Sequence, residues 1–168
     1  MGKFVFIDLE TTGLDPAKGH RVIEIGAIVM ENNQITNEFQ SFVQVNTLIP
    51  QHVSRIHGIT NDMLIGQPIP EQIYPEFKDF ISDSLLIAHN AKFDIGFLQS
   101  EFNRLKLSFN NQIFCTLEMC RRRYPRLPNY KLETIHRRLV GPNGDIFRKP
   151  EGSEVCPQKK QMHRALDD

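Results

Sequence analysis

Two acidic residues near the start of the chain have a spacing that would let their carboxylates act together in one site. Asp8 and Glu10 come directly after an apolar run that we predict to be a buried strand, residues 3–7, ending at Asp8. Side chains two residues apart on an extended segment point to the same face. A buried strand rarely ends in two carboxylates on one face unless positive charge lies beside them. Exposed strands also carry such pairs, so the pair alone leaves an ordinary surface role open.

Three more residues, further along the chain, fit the same chemistry. Asp94 follows a short predicted strand near the start of a helix, where an acid could also simply favour the helix dipole. His163 and Asp168 are five residues apart and could flank a site, one binding a metal and the other facing a water. A single histidine is more often structural than catalytic. Each of these residues, taken alone, therefore has a plain structural explanation.

Taken together, the four acids and the histidine fit one reaction. Two divalent cations about 4 Å apart can hold the attacking and leaving oxygens of a phosphoryl displacement. Hard cations such as Mg²⁺ prefer oxygen ligands. A histidine that titrates near neutral pH can accept the proton of the attacking water. The three cysteines are not spaced as a zinc site, and we interpret them as reduced thiols.

The surrounding elements predict an α/β domain built on a mixed sheet. Three strands come first, with a hairpin tip at Asn32 and Asn33, and helices then alternate with strands. The predicted strands are residues 3–8, 22–30, 34–45, 85–88 and 112–115. The predicted helices are residues 60–64, 70–80, 93–105, 116–123 and 132–139. A polar loop without periodicity follows over residues 141–160, and loops of that length are usually functional or mobile.

Three segments resemble the motifs of a known enzyme family, the DEDDh exonucleases. DLETTGL (residues 8–14) resembles the first motif, HNAKFD (89–94) the second and HRALDD (163–168) the third. The connecting segments IEIGA (23–27) and IHGI (56–59) also fit. The resemblance covers nearly all 168 residues. Within the family, the chain is most similar to the proofreading epsilon subunits of bacterial DNA polymerase III and their stand-alone relatives.

The resemblance implies a ribonuclease H-like fold, with a five-stranded mixed sheet flanked by helices, and a single exonuclease domain over residues 1–168. It assigns Asp8, Glu10, Asp94 and Asp168 as metal ligands and His163 as the general base. Glu24 matches no catalytic acid, so we expect it to be structural. The positions matched to the pocket for the terminal nucleotide are Thr11, Thr12, Leu14, His57, His89, Asn90 and Phe93.

Two features depart from the family pattern. The loop over residues 141–160 is longer than the usual connection to the third motif, which could alter the substrate groove. The sequence also reaches only Asp168, whereas family members continue their last helix beyond this aspartate. We therefore expect that further residues follow Asp168 in the full polypeptide.

The overall charge restricts how the chain could bind nucleic acid. Twenty basic and twenty acidic residues give a net charge of zero, which argues against coating long nucleic acid by charge alone. A net charge of zero is compatible with a protein that binds a strand end through metal ions. Arginines cluster at 121–123, 126 and 137–138, for which a solvated helix face is the favoured interpretation. No apolar run is long enough to cross a membrane, and we expect a cytoplasmic protein.

The expected function is a 3′→5′ exonuclease that acts on single-stranded or frayed DNA ends and releases nucleoside 5′-monophosphates. The expected cofactors are two divalent cations, Mg²⁺ or Mn²⁺, and a replicative polymerase subunit is a candidate partner. One alternative is an exoribonuclease acting on short RNA or RNA 3′ ends. A second alternative is a non-catalytic nucleic-acid-binding module of the same fold, although none of the four acids and the histidine is missing.

Overall fold

The computed structural model describes residues 3–139, and a five-stranded mixed sheet forms their centre. The strand order is β3-β2-β1-β4-β5, with β1, β2 and β3 antiparallel and with β4 parallel to both β1 and β5. The predicted fold class is therefore confirmed. The strands are β1 (Phe4–Thr11), β2 (Val22–Glu31), β3 (Gln34–Phe42), β4 (Leu85–Ala88) and β5 (Ile113–Cys115).

Five α-helices and two short 3₁₀ turns accompany the sheet in the described part of the chain. The sequence prediction missed the first helix, and the helix predicted over residues 60–64 is a 3₁₀ turn, Asn61–Leu64. The other 3₁₀ turn is Pro16–Lys18. The helices are α1 (Gln51–His57), α2 (Pro70–Ile81), α3 (Lys92–Arg104), α4 (Thr116–Arg123) and α5 (Leu132–Leu139).

The first strand continues further than its apolar sequence suggested. It runs to Thr11 rather than ending at Asp8, because β2 pairs with it along its whole length, including Asp8 opposite Gly26 and Glu10 opposite Glu24. The register shifts between Glu10 and Thr11, which marks a bulge at the end of the strand. Both candidate acids therefore lie within regular sheet, and their side-chain directions are fixed by strand pairing rather than by a loop.

The hairpin between β2 and β3 forms where the sequence placed it. Asn32 and Asn33 both have a positive φ, 52° and 62°. Two consecutive residues with this conformation make the tight turn that suits the twist of an antiparallel pair. The third strand ends at Phe42, earlier than the predicted 45, because the backbone N–H of Gln44 bonds instead to the carbonyl of Pro68 at 2.9 Å.

The main core lies on one face of the sheet, beneath α2 and α3. The apolar residues of α2 recur with helical spacing, so Ile73, Phe77 and Ile81 all point at the sheet. Burial of each such side chain contributes about 1.5–3 kcal/mol. A smaller cluster joins β2 to the second 3₁₀ turn through Ile23, Ile49, Ile59 and Leu64, and Val53 of α1 packs against it.

No helix in residues 3–139 is long and apolar enough to cross a bilayer. The loop predicted over residues 141–160 lies outside the described residues. So does the third predicted motif, with His163 and Asp168.

Candidate active site

The first strand presents its two acids on the face opposite the main core. Val5, Ile7 and Leu9 are buried in the core, and the alternating positions Asp8 and Glu10 are half-buried on the other face. Strand geometry gives this alternation directly. The predicted shared face of Asp8 and Glu10 is therefore confirmed.

Asp94 reaches this strand from α3. It lies in the first turn of that helix, which follows β4, the parallel neighbour of β1. Its carboxylate accepts a hydrogen bond from the backbone N–H of Leu9, the residue between Asp8 and Glu10. The fold thus places Asp94 beside the backbone of the strand that carries Asp8 and Glu10, although more than 80 residues separate it from them in sequence.

The environment of Asp94 disfavours its charged form. The side chain is only 3% exposed. Burial raises its pKa from the ordinary 3.8 to about 7, opposed by hydrogen bonds from the backbone N–H groups of Asp94 itself and of Leu9. A carboxyl group with this pKa is half protonated near neutral pH, and a nearby cation would favour its ionised form.

Glu24 lies closer to the acid pair than its sequence position suggested. It is directly opposite Glu10 in the β1–β2 register, so both side chains project from the same face of the sheet. It is 1% exposed, and its Oε1 accepts a hydrogen bond of 2.9 Å from Nε2 of Gln40 on β3. Glu24 therefore adds a buried carboxylate beside the predicted metal ligands.

Within residues 3–139, no group of three or more His, Cys, Asp or Glu side chains is arranged closely enough to hold a metal ion. Two of the five predicted catalytic residues, His163 and Asp168, lie outside that range. The complete ligand set therefore stays a prediction.

The loop after β1 is held by its own threonines. The Thr11 hydroxyl donates to the carbonyl of Gly13 at 2.6 Å, and the Thr12 hydroxyl accepts the backbone N–H of Arg21 at 2.9 Å. Both threonine side chains are buried. Although the sequence assigns them to the nucleotide pocket, their hydroxyls bond within the loop. The same loop presents Leu14, whose side chain is 84% exposed.

An ion pair that sequence reasoning missed ties this loop to α3. Arg21 donates from Nε and Nη2 to the two carboxylate oxygens of Glu101, at 2.6 and 2.7 Å. Glu101 is buried, and it lies seven residues after Asp94, two turns along the same helix. The sequence did carry one signal for this buried pair, because Glu101 is an acid among the apolar positions of α3, next to Phe102.

The remaining pocket candidates divide between inward and exposed positions. His57 is buried, and its Nδ1 accepts the backbone N–H of Ile59 at 3.0 Å, so the neutral ring carries its proton on Nε2. Phe93 is half-buried against Phe97, with ring centroids 4.9 Å apart. Asn90 is exposed and has a φ of 66°, a conformation that asparagine tolerates better than most residues.

His89 uses both ring nitrogens within the protein. Its Nε2 donates to the carbonyl of Tyr130 at 2.7 Å, and its Nδ1 lies 2.9 Å from the hydroxyl of Thr116, the first residue of α4. These hydrogen bonds connect the loop that precedes Asp94 to α4 and to the segment before α5. His89 therefore positions elements in this structure, and its place in the nucleotide pocket stays a prediction.

Comparison with known proteins agrees with this arrangement. Residues 5–145 match the family model described as Exonuclease. The chain belongs to the exonuclease family. The matched range covers β1 with its acid pair and α3 with Asp94. Members of this family are nucleases, which hydrolyse phosphodiester bonds.

Several curated relatives of this exonuclease domain are DNA polymerase III proteins. The subunit epsilon of Rickettsia felis is 38% identical over 171 residues, covering 98% of this chain and 68% of the relative. The subunit epsilon of Aquifex aeolicus is 38% identical over 135 residues, covering 80% and 66%. The PolC-type polymerase III of Caldanaerobacter subterraneus is 38% identical over 134 residues, covering 80% of this chain but 10% of the relative. The chain thus spans between a tenth and about two thirds of these relatives.

Solved exonuclease structures share the fold. Exonuclease X in complex with 5′ overhanging duplex DNA superimposes with a TM-score of 0.65 and 25% identity, over 80% of this chain and 72% of that chain. E. coli Exonuclease I in complex with an oligonucleotide gives a TM-score of 0.71 at 18% identity, over 82% of this chain and 36% of that chain. The second likeness supports the fold alone.

Proposed function

We propose that this exonuclease domain removes nucleotides from the 3′ ends of DNA, single-stranded or frayed, and releases nucleoside 5′-monophosphates. One observation carries the proposal: the Asp94 carboxylate is bound to the backbone N–H of Leu9, between the two acids of β1. The relatives named as DNA polymerase III subunits and the neighbour solved with duplex DNA favour DNA as the substrate.

Two divalent cations, Mg²⁺ or Mn²⁺, are the cofactors we propose. The donor set fits them, because Asp8, Glu10 and Asp94 offer only hard oxygen ligands, and burial of Asp94 leaves a carboxyl group whose ionised form needs positive charge. Asp168 would complete the set. When bound, the ions would stabilise the charge of the reacting phosphoryl oxygens and make water a better nucleophile.

The side chains themselves would then accept the proton and contact the terminal nucleotide. His163 would accept a proton from the water whose oxygen attacks the phosphorus, while the 3′ oxygen of the preceding nucleotide leaves and takes up a proton. Exposed Leu14 is suited to apolar contact with the terminal base. Asn90 offers an amide at the start of α3 for hydrogen bonding.

The relatives' names also favour a replicative polymerase subunit as the partner of this domain, with a cytoplasmic location. RNA remains the rival substrate. A domain that acts on RNA would need no change in the proposed acid cluster of Asp8, Glu10 and Asp94, because these acids would act on the phosphate and not on the sugar. The two substrates must therefore be separated by experiment.

A digestion series on DNA and RNA oligonucleotides of identical sequence tests the proposal. We expect single-nucleotide shortening from the 3′ end of DNA with Mg²⁺ or Mn²⁺, and none in excess chelator. Asp8→Ala and Asp94→Asn should abolish shortening, whereas Asp79→Asn, which removes an exposed acid of α2, should not. Full activity in chelator would contradict the metal proposal, and faster digestion of RNA would replace DNA by RNA as the substrate.

A further inference from the structure

The basic residues of this chain are concentrated in one segment. Residues 121–138 contain six arginines and one lysine against a single glutamate, so this segment carries +6 with its histidine neutral. Since the whole chain has no net charge, the other 150 residues together carry −6. A polyanion would therefore be attracted to this segment and repelled by the rest of the chain. We refer to residues 121–138 as the basic segment.

A hydrogen bond ties the basic segment to the loop that precedes Asp94. The His89 ring bonds to Thr116, where α4 begins, and to the carbonyl of Tyr130 in the middle of the segment. The Thr116 hydroxyl also lies 3.2 Å from the carbonyl of Ala88, at the end of β4. Because β1 and β4 are parallel neighbours, the ends that carry the acids and His89 lie at the same edge of the sheet. The helix that leads into the basic segment therefore begins beside His89, and the segment itself returns to His89 at Tyr130.

The arginines of this segment face solvent. Arg122 and Arg123 end α4, and Arg137 and Arg138 lie in the last turn of α5, all with exposed side chains. Arg121 also packs on a ring, with its guanidinium 5.8 Å from the centre of Tyr130. Guanidinium groups donate several hydrogen bonds in a plane, a geometry that suits phosphate oxygens.

We propose that the basic segment binds the phosphates of the substrate strand on the 5′ side of the nucleotide being removed. This inference rests on the proposed exonuclease function. The acid cluster would take the terminal phosphodiester, and the rest of the strand must leave along some surface of the domain. The basic segment is bonded to His89, at the edge of the sheet where the acids lie, and has the charge to hold successive phosphates without regard to base sequence.

Two substrates separate binding of the strand from chemistry at its end. An oligonucleotide of about 12 residues would reach the basic segment, whereas a mononucleotide ester with a chromogenic leaving group would fill only the acid cluster. For Arg122→Gln/Arg123→Gln, we expect KM for the oligonucleotide to rise roughly 3- to 30-fold, with a far smaller change for the ester. The slope of log KM against log salt concentration should become shallower by about one for each phosphate that the variant no longer binds. Arg137→Gln/Arg138→Gln should act in the same direction.

Arg104→Gln is the matched control, because this exposed arginine ends α3, three turns away from Asp94. It should leave the salt dependence as in the wild type. Equal losses on oligonucleotide and ester would show a disturbed site and overturn the proposal. An unchanged oligonucleotide KM in both double variants would also overturn the proposal. The basic segment would then be a candidate binding surface for an acidic protein partner. If the wild type cleaved neither substrate, the proposed function would fail, and fluorescence anisotropy with labelled oligonucleotide would still test the basic segment by itself.

Discussion

At the scale of single residues, Asp94 is the position where the structure adds most to the sequence. The residue type suggested either a helix-dipole acid or a metal ligand. Its burial and its bond to Leu9 decide against a merely exposed helix-start acid, because a group of that kind would be solvated. A carboxyl group held in this way is costly to the metal-free fold.

The raised pKa of Asp94 predicts how stability depends on pH in the absence of metal. The folded state keeps this proton up to about pH 7, whereas the unfolded chain loses it near the ordinary 3.8. Because the native state then binds more protons, the free energy of unfolding falls as pH rises from about 4 to 7, by at most ~4 kcal/mol. Asp94→Asn lacks this titration, so in chelator it should match the wild type near pH 4 and exceed it at pH 8.

Urea denaturation at several pH values, with Asp79→Asn as the control, measures this difference. A wild type and an Asp94→Asn variant whose stabilities ran parallel from pH 4 to 8 would show that Asp94 ionises without penalty.

His163 has its own prediction at this scale, drawn from the sequence motif. If it is the general base, His163→Ala should lower kcat by roughly 10²- to 10⁴-fold while leaving metal affinity largely intact. Single-turnover rates together with Mn²⁺ titration separate these two effects. A collapse of Mn²⁺ affinity would instead identify His163 as a ligand.

At the scale of elements, the Arg21–Glu101 ion pair joins the loop after β1 to the helix that carries Asp94. Glu101 is 2% exposed and Arg21 18%, so the pair is largely screened from water. Arg21→Met would leave the Glu101 carboxylate uncompensated in the core, at a cost of about 3–5 kcal/mol in the free energy of unfolding. The double variant Arg21→Met/Glu101→Met removes both charges and should lose less. Chemical denaturation measures the free energy of unfolding of both variants. A double variant less stable than Arg21→Met would contradict the prediction.

Two glycines make a matched pair for testing the same loop. A Cβ at Gly13 would lie 2.6 Å from the ring of His20, which accepts the backbone N–H of Asp15 at 3.0 Å. Gly13→Ala should therefore displace His20, distort the loop that presents Leu14 and raise KM. A Cβ at Gly96 in α3 would meet no atom within 4 Å, so Gly96→Ala should stabilise the helix by about 0.5–1 kcal/mol. Thermal melts and steady-state kinetics on both variants check this contrast, and similar behaviour of the two would refute it.

At the scale of the whole molecule, metal binding should report on folding as well as on activity. The cations would bind the folded protein and not the unfolded chain. They should therefore raise the free energy of unfolding by about 2.7 kcal/mol at a concentration 100 times Kd. The melting temperature should rise with Mn²⁺ in the wild type and much less in Asp94→Asn. Differential scanning calorimetry with Mn²⁺ and with chelator gives the comparison. An equal rise in the two proteins would place the binding elsewhere.

Much of this architecture was determined by the sequence alone. An apolar run gave β1, turn residues gave the hairpin at Asn32 and Asn33, a proline in the first turn gave α2 and helical apolar spacing gave α3, because these features depend on neighbouring residues. The motif around Asp8 and the motif around Asp94 were likewise recognised from the sequence alone. Helix α1 was missed because its seven residues show no apolar period, and its stability comes from packing against Ile59 and Leu64.

Only the tertiary structure decided which polar groups meet. No local pattern could show that the Asp94 carboxylate bonds to the backbone of Leu9, that Glu24 lies opposite Glu10, or that Glu101 pairs with Arg21 across 80 residues. It also showed that His89 and the two threonines form hydrogen bonds that hold loops and helices in place, while their place in the nucleotide pocket stays a prediction. Burial and the pairing of distant charges depend on the whole packed chain, because desolvation is set by every element around a group and not by its neighbours in sequence.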